Sequence, residues 1–153
     1  MSLLSQSTVS NKISFNGVGI HTGKKVSLNI LPASPNSGII FKRVDLKDNN
    51  IVIPNFENVS EATLCTTISN QYGVKVSTIE HLMAAFLGLG IDNAIVELDS
   101  QEVPILDGSA MNFVKVIKKT GLKNSDIPIK LIKINNSVQI EEDQKFISIE
   151  KSN

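Results

Sequence analysis

A glutamate and a histidine stand side by side at Glu80-His81, in the run Ser77-Thr78-Ile79-Glu80-His81 where an apolar helical pattern begins. Neutral imidazole is a zinc ligand, and a neighbouring carboxylate can take a proton from a metal-activated water. The same residues have a plainer reading. Ser77 as N-cap with Glu80 three positions on is a capping box, whose side chains satisfy free backbone donors and do no chemistry. The pair also lacks the spacing of the helical H-E-x-x-H zinc signature. Residue type and spacing leave both readings open.

Other stretches carry further candidates. Gly17-Val18-Gly19-Ile20-His21-Thr22-Gly23 holds three glycines in seven residues, which implies positive φ or close backbone approach. No helical pattern follows it, so a phosphate-cradling loop fails its context test. His21 could contact an anion or be a turn residue without a role. In Pro104-Ile105-Leu106-Asp107-Gly108-Ser109-Ala110, Asp107 or Ser109 can cap a helix. Cys65 sits in a β-branched run and reads as a small buried hydrophobe rather than a nucleophile.

The elements that must position these residues are legible as changes of period. Strands are expected at Lys12–Phe15, Lys25–Leu31, Ile39–Val44, Ile51–Ile53 and Thr63–Ser69, from alternation and β-branched content. Leu82, Ala85, Phe86 and Leu89 then fall at i, i+3, i+4 and i+7, an amphipathic helix that Gly88 and Gly90 end. A strand follows at Asn93–Leu98. The second helix opens near Ser109, with Ala110, Phe113, Val114 and Ile117 on its stripe, Lys118 and Lys119 in its last turn and Gly121 beyond. The stretch between Thr120 and Pro128 reads as a polar connection. From Ile129 the chain returns to β, as a hairpin bent near Glu142-Asp143. This order predicts an α+β fold, a two-layer sandwich with both helices on one face of a mainly antiparallel sheet, followed by a truncated β segment.

Composition narrows the function classes. The 153 residues carry 15 basic and 15 acidic groups, which argues against a nucleic-acid coat or a polybasic membrane binder. The balance is uneven, with five basic and no acidic residues up to Arg43. That segment could meet an anionic ligand, or could be solvated lysines on strand edges. One cysteine and two histidines exclude a disulfide framework and a multi-cysteine zinc site. The first residues resemble no signal peptide, and no window approaches the roughly 18 apolar residues of a spanning helix, so a cytoplasmic location with no transmembrane segment is expected.

In order along the chain, GVGIHTGKKVSLNILPA, SGIIFKRVDL, ATLCTTI, VSTIEHLMAAFLGLGIDNAIVEL and EVPILDGSAMNFV resemble the UDP-3-O-acyl-N-acetylglucosamine deacetylases, the zinc amidases that commit bacteria to lipid A synthesis. The STIEHLMAA and PILDGSA blocks carry most of that resemblance. It implies two similar α+β domains with Zn2+ between them. His81 would be one zinc ligand and Glu80 the general base that deprotonates the attacking water. His21 and Asp107 would have supporting roles. The substrate would be UDP-3-O-acyl-N-acetylglucosamine, losing acetate.

The resemblance also implies what these residues lack. The family's other two zinc ligands, its general-acid histidine and its acyl passage belong to the second domain. Residues 1–126 read as the first domain, and 127–153 as a linker with the first strands of an incomplete second one. On that reading the chain is inactive alone and binds zinc weakly. The chain would then be a truncated gene product, one half of a split enzyme completed by a separate polypeptide, or a non-catalytic domain that binds a partner protein or a nucleotide sugar.

Overall fold

Alternation of apolar and polar side chains turns the first half of the chain into strands, and the computed structural model, which describes residues 4–152, shows where they pair. In chain order they are β1 (Ser5–Val9), β2 (Ile13–Val18), β3 (Lys25–Pro32), β4 (Ile39–Arg43) and β5 (Ile51–Val52). A 3-10 turn at Phe56–Asn58 leads to β6 (Val59–Glu61), β7 (Thr67–Ser69) and β8 (Lys75–Ser77). Helix α1 (Glu80–Leu89), strand β9 (Ala94–Leu98) and helix α2 (Met111–Thr120) follow. The chain continues with β10 (Leu122–Pro128), β11 (Val138–Glu142) and β12 (Lys145–Ile149).

The main sheet has the order β2-β3-β9-β4-β5 and is antiparallel except where β4 and β9 run parallel. Its register places Ile13, Ile30, Val96, Phe41 and Val52 in one row across all five strands, and all five are buried. The neighbouring row carries Ser14, Asn29, Glu97 and Lys42 on the opposite face, where Lys42 Nζ meets Glu97 Oε1 at 3.2 Å. A sheet with one apolar face must cover that face. Leu82, Ala85 and Phe86 of α1 and Phe113 and Ile117 of α2 do so, in one continuous core. The Phe113 ring meets Phe15 edge-on, with centroids 4.9 Å apart. The expected α+β fold is therefore present. Gly90, left-handed at φ 67°, ends α1.

Several elements differ from expectation. The strand expected over Thr63–Ser69 begins only at Thr67, and Cys65 lies in the bend before it, half-exposed. The stretch expected as a connection is strand β10, antiparallel to β1, a strand that alternation did not reveal. Its partner is hidden from a hydropathy reading because its buried positions include Gln6 and Ser7. Those polar groups are satisfied by distant partners. Asn93 Nδ2 donates to Gln6 Oε1 at 3.0 Å, Gln6 Nε2 donates to the Pro128 carbonyl at 3.0 Å, and Ser7 N–H donates to Asp92 at 2.7 Å.

A small sheet of β6, β7 and β8 stands beside the main one. The hairpin β11–β12 turns at Asp143, as expected, with φ 55°. Its alternation places Val138, Ile140, Ile147 and Ile149 on one exposed face. Among the described residues, no helix is long and apolar enough to cross a membrane.

Candidate active site

Helix α1 starts without a side-chain cap. Ile79, the residue before it, is already helical and buried. Ser77 is not the N-cap that a capping box requires. It ends β8, and its N–H and hydroxyl both donate to the Gln101 carbonyl, at 2.9 and 3.2 Å. The capping reading of Ser77 and Glu80 is overturned, because a non-local strand contact takes the serine first.

Glu80 is consequently free of its local partner. Its Oε1 accepts from the Thr66 N–H, while its Oε2 is buried with no hydrogen-bond partner. A buried acceptor left unpaired costs about 1–3 kcal/mol, so native proteins keep few of them.

Glu80 faces an open cleft of about 410 Å³ that His81, His21, Ile20, Leu64 and Cys65 also line. The structure thus brings His21, Glu80 and His81 together from two segments some sixty residues apart in sequence. Asp107 stands outside, exposed, although Ile105 and Gly108 on either side of it line the cleft. Its Oδ1 accepts from the Ser109 hydroxyl at 2.9 Å and the Ser109 N–H at 3.1 Å, and those bonds hold its carboxyl below the usual range. Ser109 in turn accepts from the Met111 N–H at 3.1 Å, at the start of α2.

Two further residues, not singled out by motif, shape the cleft. Thr78 lines it and is left-handed at φ 57°, a rare conformation for a β-branched side chain. Glu102 lies fully buried behind it. Its Oε1 accepts from the Thr78 hydroxyl at 2.9 Å and the His21 N–H at 3.0 Å. Its Oε2 accepts from the Thr22 N–H at 2.9 Å and the Thr22 hydroxyl at 2.7 Å. Burial pushes this carboxyl up, but the hydrogen bonds from His21, Thr22 and Thr78 outweigh it and hold it below the usual range. The glycine loop exists for this approach: a Cβ on Gly19 would overlap Glu102 Oε2 and Thr22 Oγ1. The sequence clue to Glu102 is a lone acid at the head of the apolar run Val103-Pro104-Ile105.

As a metal site the cleft is partial. Among the described residues, no three His, Cys, Asp or Glu side chains converge around a common point. A catalytic zinc usually takes three protein ligands and keeps one open position. Of the residues lining the cleft, His81 has the donor type for one corner of such a site, and Glu80 lines the same cleft.

Residues 6–153 match the family described as UDP-3-O-acyl N-acetylglycosamine deacetylase. The chain belongs to that family. Its relatives include proteins named UDP-3-O-acyl-N-acetylglucosamine deacetylase from Shewanella baltica, 44% identical over 147 residues, and from Shewanella oneidensis, 42% identical over the same length. Each match covers 96% of this chain and 48% of the relative. The chain thus spans about half the length of the deacetylases it matches.

Proposed function

We propose that residues 1–153 carry half of the active site of a zinc-dependent deacetylase that removes acetate from UDP-3-O-acyl-N-acetylglucosamine in lipid A biosynthesis, in the cytoplasm. The observation that carries this reading is Glu80, which lines the cleft together with His81 and has one carboxylate oxygen anchored on the Thr66 N–H and the other buried without a hydrogen-bond partner. His81 would hold the zinc as one of its ligands, with the others supplied from outside these residues. Zinc, when bound, supplies Lewis acidity toward the water and the amide carbonyl.

The chain's own part is proton handling and orientation. Glu80 Oε1 stays on the Thr66 N–H, which fixes the carboxylate plane. Its Oε2 takes the proton of the water that attacks the acetamide carbonyl. The C–N bond then breaks, acetate leaves and the sugar nitrogen is released as an amine. Protonation of that nitrogen falls to a group outside these residues. His21, across the cleft, and Asp107, at its rim, have supporting roles, His21 toward bound substrate and Asp107 in ordering the turn ahead of α2.

A chimera tests this reading, with this chain replacing the matching stretch of the Shewanella baltica deacetylase. It should release acetate from UDP-3-O-acyl-N-acetylglucosamine, lose activity to a chelator and regain it with zinc. Glu80→Gln should lower kcat about 10²- to 10⁴-fold, the usual worth of a positioned general base. Undiminished turnover in that variant would remove Glu80 from the mechanism. Residues 1–153 alone should bind zinc weakly and release no acetate. Turnover by them alone, abolished by Glu80→Ala, would show that the half-site reading is wrong.

A further inference from the structure

Glu102 is the one charged side chain among the described residues that is fully buried. No cation offsets it: the ion pairs of the described residues, Lys42–Glu97 and Arg43–Asp45, lie elsewhere. A buried carboxylate without a counter-ion depends on its hydrogen bonds, and here neutral donors supply them. What it offers, and glutamine does not, is two equivalent oxygens with about four acceptor sites in one rigid plane. All four are used. One oxygen takes the His21 N–H and the Thr78 hydroxyl, and the other takes the N–H and hydroxyl of Thr22.

The backbone around Glu102 is fixed from both sides as well. Ser77 N–H donates to the Gln101 carbonyl at 2.9 Å, and Val103 N–H donates to the Ser77 carbonyl at 3.0 Å. Ile105 N–H donates to the Val18 carbonyl at 3.0 Å. Residues 101–105 therefore bridge the end of β8, which leads into Glu80, and the end of β2, which leads into His21. Thr78, two residues before Glu80, is held left-handed, and among the described residues its side chain hydrogen-bonds only to Glu102. Strain of this kind persists where the surroundings enforce it.

We propose that Glu102 is a positioning residue of the deacetylase reaction: by holding the His21-Thr22 turn and Thr78 on one carboxylate, it sets the spacing between His21 and the Glu80-His81 pair. It touches neither substrate nor metal and acts through Thr78 and the turn. This rests on the roles given above to Glu80 and His81. A purely structural anchor would change how much protein folds, while a positioning residue changes what each folded molecule does.

Two measurements separate these cases. The first is amide and imidazole NMR of the 153-residue chain. Glu102→Gln and Thr78→Val should shift the signals of Glu80 and His81 as well as those of Gly19 to Thr22, while Thr78→Ser, which keeps the hydroxyl, should leave them in place. Shifts confined to Gly19 to Thr22 would overturn the proposal. The second is kinetics of the chimera per folded molecule. Glu102→Gln and Thr78→Val should lower kcat about tenfold or more with KM within about twofold, and Thr78→Ser should restore it. If Glu102→Gln does not fold, the Thr78→Val and Thr78→Ser pair decides. An active chimera indifferent to both changes overturns the positioning role of Glu102 alone. A native chimera that releases no acetate overturns instead the deacetylase reading beneath it.

Discussion

The sheet core and the cleft are made from adjoining stretches of one chain, yet they are held by opposite means. In the core, Ile13, Ile30, Val96, Phe41 and Val52 form an apolar row that two helices cover, and local pattern, register and burial agree. In the cleft those rules break. Thr78 and Leu64 are left-handed, Glu80 keeps an unpaired oxygen, and just behind it Glu102 is buried without a counter-ion. None of the five residues of that row is polar or left-handed. Exceptions of that kind persist where the rest of the fold enforces them.

The comparison can be broken from either side. On the core side, Phe113→Ala removes the ring that meets Phe15 and should cost about 3–5 kcal/mol by urea unfolding. A loss below about 1 kcal/mol would mean the helices do not seal the sheet as described. At the edge of the cleft, Gly19→Ala forces a methyl against Glu102 and Thr22 and should cost about 1–3 kcal/mol, with shifted NMR signals at His21. Unchanged stability would mean that the loop does not need the close approach.

The third test uses acid. The Glu102 carboxyl is held below its ordinary value of 4.5 in the fold, so the unfolded chain takes up that proton first as pH falls. Its stabilisation is complete above 4.5 and disappears as pH drops through the folded value. The stability gap between the native chain and Glu102→Gln should therefore narrow below that pH, and a gap constant from pH 7 down to pH 3 would contradict the bonding described. The smallest effect belongs to Glu80→Gln. The amide oxygen can keep the Thr66 N–H, so stability should change by less than about 1 kcal/mol. A clear loss would mean that Glu80 has a structural duty in the cleft.

The core was legible in the sequence and the cleft only partly so, for a physical reason. Val26, Leu28 and Ile30 alternate in β3, and Phe113 and Ile117 recur at helical spacing, because burial on one face imposes a period. The same logic fails for β1, whose buried Gln6 and Ser7 are satisfied by Asn93 and Asp92, some eighty-five residues away. It fails for β10, which carries Lys123, Asn124, Ser125 and Asp126 and pairs only with β1. Ser77 and Glu80 have the spacing of a cap, but Gln101 and Thr66 claim them through space. His21 and His81 were visible as residue types. Their meeting in one cleft was not, because the carboxylate that links their segments follows them in the chain, at Glu102.

The pairing of β1 with β10 has a mechanical meaning. Ser5 lies opposite Pro128, and Ile129 N–H donates to the Leu4 carbonyl at 2.9 Å, so the chain enters and leaves this fold at the same end of one antiparallel pair. Tension between those two points loads the ladder bonds one after another, from Ser5 toward Val9, instead of shearing them all at once. The pair would open like a zip at low force, while the five-stranded sheet and both helices behind it stay unloaded until Val9 and Leu122 have parted.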